Sequence, residues 1–285
     1  MKRLRPLHGD HAARHDEIAA CKRGETRRVL AALRRRLHDA FQVYQTNYTN
    51  DTLQAQASMA VEADEAACCS HCYDVQSAKR DALIVAIREN QERDLAGTCQ
   101  YCCIGKPNTM DHYLPKAIFP EFSVYALNLV PCCAECNGAK GDFWLENGER
   151  AIINFYRDTP PEEVFLSARL IYENGDDVPE VEFSADWLAV QNHALRARVK
   201  GHFERLDLLT RYREAAVQKL NDHIITLECH ARNASRGDQR HNLQAEAERL
   251  RRQYGSNYWP AALCNAMADS TEFLDSIGRP EMALP

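Results

Sequence analysis

Two Cys-x2-Cys doublets, Cys99-Gln-Tyr-Cys102 and Cys133-Ala-Glu-Cys136, stand 30 residues apart in a chain of 285. A doublet of this spacing turns its backbone back on itself, so both sulfurs reach one ion, and two doublets supply a closed tetrahedral zinc shell. Such a site is structural, stapling a segment too small to own a hydrophobic core. Six of the 12 cysteines lie between Cys99 and Cys136. The start, Met1 to Pro6, lacks an apolar signal core, and no stretch approaches the roughly 18 apolar residues of a membrane span, so a cytoplasmic protein is expected. There, clustered cysteines read as metal ligands rather than disulfides. Cys103 and Cys132 leave the register open, with the x2 spacing preferred at both ends. Cys68-Cys69-Ser70-His71-Cys72 offers another doublet without a second half, either a second metal site or helix-end thiols. Cys21, Cys229 and Cys264 are isolated and read as core thiols or surface bystanders.

The composition, 45% apolar and 27% charged, belongs to a folded globular chain. A net charge of −6 excludes a globally basic coat for nucleic acid, but the charge is unevenly spread. Residues 1–40 hold 11 Lys/Arg against 5 Asp/Glu, 196–213 hold 6 against 2, and 232–252 hold 6 against 3, whereas 146–190 hold 3 against 11. Polyanion contact therefore belongs to the first and last parts.

Apolar residues at Val29, Leu30, Leu33, Leu37, Phe41 and Tyr44 predict an amphipathic helix over 25–44, with Arg27, Arg28, Arg34, Arg35 and Arg36 on its other face. Asn50-Asp51-Thr52 reads as the cap of a second helix through Leu53, Met59 and Val61, and a third is expected from about Val75 to Leu95. Val164–Tyr172 and Val178–Phe183 flank Asn174-Gly175-Asp176 and predict a β-hairpin. Residues 188–231 read as helix with a break at Gly201 and a buried stripe of Leu206, Leu209, Tyr212, Val217, Leu220, Ile224 and Leu227. Two shorter helices follow, about 240–253 and 260–275. The expected organisation is an N-terminal helical region (1–96), a Cys-punctuated finger (97–145), and a hairpin with C-terminal helices (146–285), a mainly α fold around a zinc-stapled insert.

Between the doublets run Asp111-His-Tyr-Leu-Pro-Lys116 and Asn128-Leu-Val-Pro-Cys-Cys133, followed after the last cysteine by Asn137-Gly-Ala-Lys140-Gly141. Asp-His, then Asn-Leu-Val, then Cys-x2-Cys-Asn-x2-Lys-Gly between zinc knuckles resembles the HNH endonucleases, over about 48 of the 285 residues. The resemblance implies a ββα-metal finger that hydrolyses phosphodiesters, with His112 as general base. Asn137 stands where many members carry His, making this an HNN variant. It further implies that Asp111 and Asn137 hold one Mg2+ or Mn2+, hard ions suited to oxygen ligands, while Asn128 either braces the loop and the imidazole or caps a turn. Lys116 and Lys140 are candidates for phosphate contact or solvated residues. Phosphodiester hydrolysis needs these parts: a base for water, positive charge for the phosphate, and positioning of both.

The finger itself holds 3 Lys/Arg against 4 Asp/Glu, too little to grip DNA alone. The helical surroundings and the run Phe119-Pro-Glu-Phe122 are similar to HNH effector nucleases of bacterial anti-phage systems such as Septu, which implies an ATPase partner. No G-x4-G-K-[ST] occurs here, so ATP use would belong to that partner. Two other readings remain: a non-catalytic zinc module binding nucleic acid or protein, and a nuclease acting on RNA.

Overall fold

The computed structural model describes residues 1–59, 61–172, 178–231 and 235–277. These described residues are mainly helical, with three two-stranded antiparallel sheets among them. Its contacts divide it into two compact units, Lys2–Thr159 and Pro160–Pro285, the latter with Met1.

The first unit begins with α1 (His11–Ala20), whose N-terminus is held by the Asp10 carboxylate accepting from the Ala13 amide. Next comes α2 (Gly24–Asn50), which buries Leu30, Leu33, Leu37, Phe41, Tyr44 and Tyr48 and ends at Asp51 in the left-handed conformation. The expected cap at Asn50–Thr52 is thus a helix end, and only a 3-10 turn, Leu53–Ala55, follows it. The proposed single helix from Val75 to Leu95 is also corrected. Val75 closes α3 (Ala63–Asp74) in extended geometry, Ser77 starts α4 (Ala78–Glu89) by accepting from the Arg80 amide, and extended Glu92 separates α5 (Arg93–Ala96).

The finger follows. β1 (Thr109–His112) pairs antiparallel with β2 (Leu129–Cys132), aligning Asp111 with Val130 and His112 with Leu129, and α6 (Ala134–Lys140) completes a ββα unit. Between the strands, Phe122 and Tyr125 pack on Phe41 and Tyr44 of α2, with Tyr44 and Phe122 rings edge to face at 4.9 Å, and Phe119 stacks on Phe122. This burial anchors the finger, which is too small for a core of its own. β3 (Leu145–Glu146) and β4 (Glu149–Arg150) lead into a segment that closes over the sheet. There Tyr113 donates to the Ile152 carbonyl at 3.0 Å, Tyr156 donates to that of Leu129 at 2.7 Å, and buried Arg150 forks onto Asp158 at 2.9 and 3.2 Å. Residues 146–159 accordingly share a unit with the finger and the N-terminal helices.

In the second unit, β5 (Leu166–Ile171) pairs with β6 (Glu180–Ala185) as the expected hairpin, and the Asn174–Asp176 turn lies outside the described residues. The helices are α7 (His193–Arg205), α8 (Leu208–Ala231), α9 (Arg236–Tyr254), α10 (Trp259–Asp269) and α11 (Thr271–Ser276). The break falls at Asp207, which takes a positive φ of 48°, while Gly201 is buried inside α7. Of the expected stripe, Leu206, Tyr212, Leu220, Ile224 and Leu227 are buried, while in α8 Ala216 takes the inward place and the predicted core residue Val217, one step out of phase, is 60% exposed. Phe165, Phe183, Phe203, Tyr212 and Trp259 fill this unit's core. No helix among the described residues is long and apolar enough to cross a membrane.

Burial lowers His15, packed at 5.5 Å against Phe41, from 6.5 to about 4. His11 falls to about 4 for the same reason, with Arg14 adding to it. A depressed folded pKa confers stability above the unfolded value that is lost as pH falls from about 6.5 toward 4, on the order of 3 kcal/mol for buried His15 and less for partly exposed His11. Thermal midpoints measured across this window should fall with pH, and His15→Phe should flatten the fall; an unchanged slope would contradict a neutral buried His15.

Candidate functional site

The two knuckles meet as the spacing expects. The Sγ atoms of Cys99, Cys102, Cys133 and Cys136 lie within 4.8 Å of one another, and all four residues are buried. Cys102 and Cys133 are 3.8 Å apart, matching the edge of about 3.8 Å that a Zn–S length near 2.3 Å gives in a tetrahedron. The Ile104 amide donates to Cys102 Sγ and the Cys136 amide to Cys133 Sγ, both at 3.4 Å. The chain turns here through Cys103, at φ 58°, and Gly105, where a Cβ would meet the Cys133 Cβ at 2.9 Å. Hydrogen bonds from Cys102, Cys136 and Cys99 draw the Cys133 thiol down, whereas the same company pushes Cys99 up. Cys102 is drawn down as well, to about 7, and Cys136 is pushed up, so the four sulfurs compete for protons, and a zinc ion fits because it satisfies all four as thiolates. Cys103 and Cys132 fall outside this group. Cys132 faces Thr109 Oγ1 at 3.4 Å. Cys68, Cys69 and Cys72 ride on α3 and join no converging ligand group among the described residues.

Neighbours on a strand point to opposite faces, and β1 divides its two signature residues accordingly. Asp111 faces inward, 2% exposed, accepting from Tyr101 at 2.8 Å and from Lys140 Nζ at 3.1 Å. Lys140 is wholly buried and also donates to the His112 carbonyl at 2.9 Å. His112 faces outward into a cavity of about 560 Å³ shared with Tyr73, Arg80, Arg88, Lys116 and Asn137. Its Nε2 lies 2.9 Å from the Ser123 carbonyl. A carbonyl only accepts, so Nε2 carries the proton and Nδ1 keeps the lone pair. Burial lowers this imidazole from 6.5 to about 4, with the Ser123 bond and the Asp111 charge opposing it, so the ring is neutral at neutral pH. The Tyr73 ring stands edge to face against it at 4.5 Å.

Asn128 is fully buried and braces the loop after β1. Its Oδ1 accepts from the Leu114 amide at 2.7 Å, and its Nδ2 donates to the Leu114 and Phe122 carbonyls at 3.0 and 3.4 Å. It touches the loop rather than the imidazole, one residue before the Ser123 carbonyl that His112 meets. Asn137 lines the cavity and donates from Nδ2 to Thr109 Oγ1 and the Met110 carbonyl, both at 3.3 Å.

Two expectations are corrected by this geometry. Asp111 and Asn137 do not converge, because the carboxylate is held inside by Tyr101 and Lys140, so the residues present do not fit a shared Mg2+ or Mn2+. Lys140 cannot reach a phosphate from its buried ion pair. Lys116 does line the cavity, beside Asp74, with its ammonium 5.6 Å from the Tyr73 ring centroid.

The residues not foreseen from the sequence come from α3 and α4. Arg80, Ile84 and Arg88 form an i, i+4, i+8 stripe along the cavity, and Arg80 lies 4.9 Å over the Tyr73 ring. The Nε–H groups of Arg80 and Arg88 are buried without an acceptor among the described residues. Arg80, Arg88 and Lys116 thus bring three cations to the wall, with Arg80 ion-paired to Asp81 at 2.7 Å and Lys116 to Asp74. The repeat of Arg at positions eight apart, on the face beside buried Leu83 and Ile87, is the signal that could have revealed them.

The chain is 29% identical over 201 residues to protein Ea31 of Escherichia phage lambda, a match covering 63% of this chain and 64% of that one. It is 37% identical over 71 residues to Septu protein PtuB of Bacillus thuringiensis, covering 23% of this chain and 27% of that one. The chain thus spans less than two thirds of either relative. No family model and no solved structure matches it.

Cys136→Ser should release zinc and melt the finger, whereas His112→Ala should keep the metal; elemental analysis with circular dichroism reads both. Lys140→Met leaves a buried carboxylate unpaired and should cost about 3–5 kcal/mol in urea denaturation, with Asp111→Asn in the same chain restoring part of it. A Lys140→Met protein as stable as the wild type would show that the pair is not buried as described.

Proposed function

We propose that this chain is an endonuclease of the HNH type that hydrolyses phosphodiester bonds in DNA, and that it serves as an effector in anti-phage defence, working with an ATPase partner. The observation carrying the reading is His112: a neutral imidazole on the strand of a ββα finger, its Nε2 proton tied to a carbonyl, in a cavity rimmed by three cations. The partial match to a Septu protein supports the defence reading.

In this proposal, Nδ1 of His112 takes a proton from water as the water oxygen bonds to phosphorus and the P–O bond to the leaving oxygen breaks. Arg80, Arg88 and Lys116 hold the non-bridging oxygens and offset their growing charge. Asn128 keeps the loop bearing Ser123 in register, and the Ser123 carbonyl keeps the imidazole in the tautomer able to accept. The four cysteines hold the zinc that fixes β2 and α6 against the Cys99 knuckle.

Purified protein incubated with supercoiled plasmid and Mg2+ or Mn2+ should nick it, and a chelator control reads the divalent-ion dependence that the resemblance implies. His112→Ala should lose on the order of 10²–10⁴ in rate; equal nicking by this variant would remove His112 as the base. With the pKa of His112 at about 4, the base form persists below pH 6. The acid limb of kcat/KM should therefore lie nearer 4 than the 6.5 of a free imidazole. Arg88→Ala should weaken DNA binding and flatten the dependence of log affinity on log salt by about 0.9, one phosphate contact. Cutting of RNA alone would redirect the substrate assignment. No cutting of either polymer, with zinc bound and the partner present, would favour a non-catalytic binding module.

A further inference from the structure

A second group of metal-type ligands lies in the C-terminal unit, away from every motif used above. His223 of α8, Glu246 of α9 and Cys264 of α10 each direct one ligand atom to a common point, the atoms lying within 4.8 Å of one another. Cys264 is fully buried and His223 is 7% exposed. Cys264 Sγ stands 3.8 Å from His223 Nε2. A tetrahedral zinc ion with Zn–S near 2.3 Å and Zn–N of about 2.0–2.1 Å would set that edge at about 3.6 Å, so the pair needs only a few tenths of an ångström to close on an ion.

We propose that His223, Glu246 and Cys264 form a zinc site that clips α8, α9 and α10 together. Thiolate and imidazole select a thiophilic divalent ion over Mg2+ or Ca2+. Two anionic ligands, Cys264 and Glu246, balance the double charge of the ion, which matters because Lys219, Arg249 and Arg251 act electrostatically on Cys264 and Arg249 lies 3.9 Å from the Glu246 carboxylate. The Glu246 side chain is 34% exposed, so water reaches the fourth position and the ion can exchange with solvent. The clip has a task in the fold. α9 runs for 19 residues, yet its buried apolar residues are only Leu243, Ala247 and Leu250, a thin stripe for a helix of five turns. A metal bond from Glu246, on the turn between Leu243 and Leu250, adds an anchor where hydrophobic burial is sparse.

The test uses the full chain purified from zinc-supplemented cells. Elemental analysis should give two zinc per chain, falling to one in Cys264→Ala and to one in Cys136→Ser, because the sites are independent. Glu246→Gln keeps the shape of a partly exposed side chain and guards against misfolding. It should retain the wild-type circular dichroism while its second zinc is stripped by at least tenfold less chelator. Re-adding zinc to the stripped wild type should raise the thermal midpoint in two steps, of which Cys264→Ala shows only one. One zinc per chain in the wild type, unchanged in Cys264→Ala, would overturn the proposal. So would a second zinc that survives both Cys264→Ala and Glu246→Gln. Neither result bears on whether the finger cuts DNA.

Discussion

Because successive residues of a strand face opposite ways, β1 sends Asp111 inward to Tyr101 and Lys140 and His112 outward into the cavity, and the rest of the finger is arranged around that division. The inward half is scaffold. Lys140 ties the end of α6 to β1 through Asp111 and the His112 carbonyl, fixing the helix against the strand that carries the imidazole. A buried ion pair is a poor source of net stability but a strict one of geometry, since removing either partner strands the other. The outward half faces the cavity, where Lys116 of the finger is joined by Arg80 and Arg88 of α4 from outside it.

That dependence on neighbouring elements explains why the finger packs as it does. Its own 49 residues, 97–145, lack the charge to hold a polyanion and the apolar mass to fold alone. α2 supplies Phe41 and Tyr44 beneath the loop that Asn128 braces, while α3 and α4 supply Tyr73, Arg80 and Arg88 at its mouth. The cysteine cluster, the packing and the charge thus come from three different parts of the first unit.

The local parts of this arrangement were legible in the sequence: the four cysteines by spacing, β1, β2 and α6 through the order of Asp111, His112, Asn128 and Asn137, and the long amphipathic α2 by its apolar period. What escaped was tertiary. Nothing along the chain tells that Asp111 meets Lys140, 29 residues away, instead of a metal, or that Arg88 of a helix before the finger comes to stand beside His112. The left-handed Asp51 and Asp207 also escaped, because a single residue of that conformation ends or shifts a helix without interrupting its hydrophobic pattern. Glycine at 201 looked the better breaker, yet its place in α7 is buried, and the residue that turns is an aspartate.

The bond from His112 to the Ser123 carbonyl carries one more implication. An imidazole free in solution can load at one nitrogen and unload at the other, relaying hydrogen through the ring. Here one edge is moored to the backbone, so a hydrogen that arrives at the open edge can depart only by the same door.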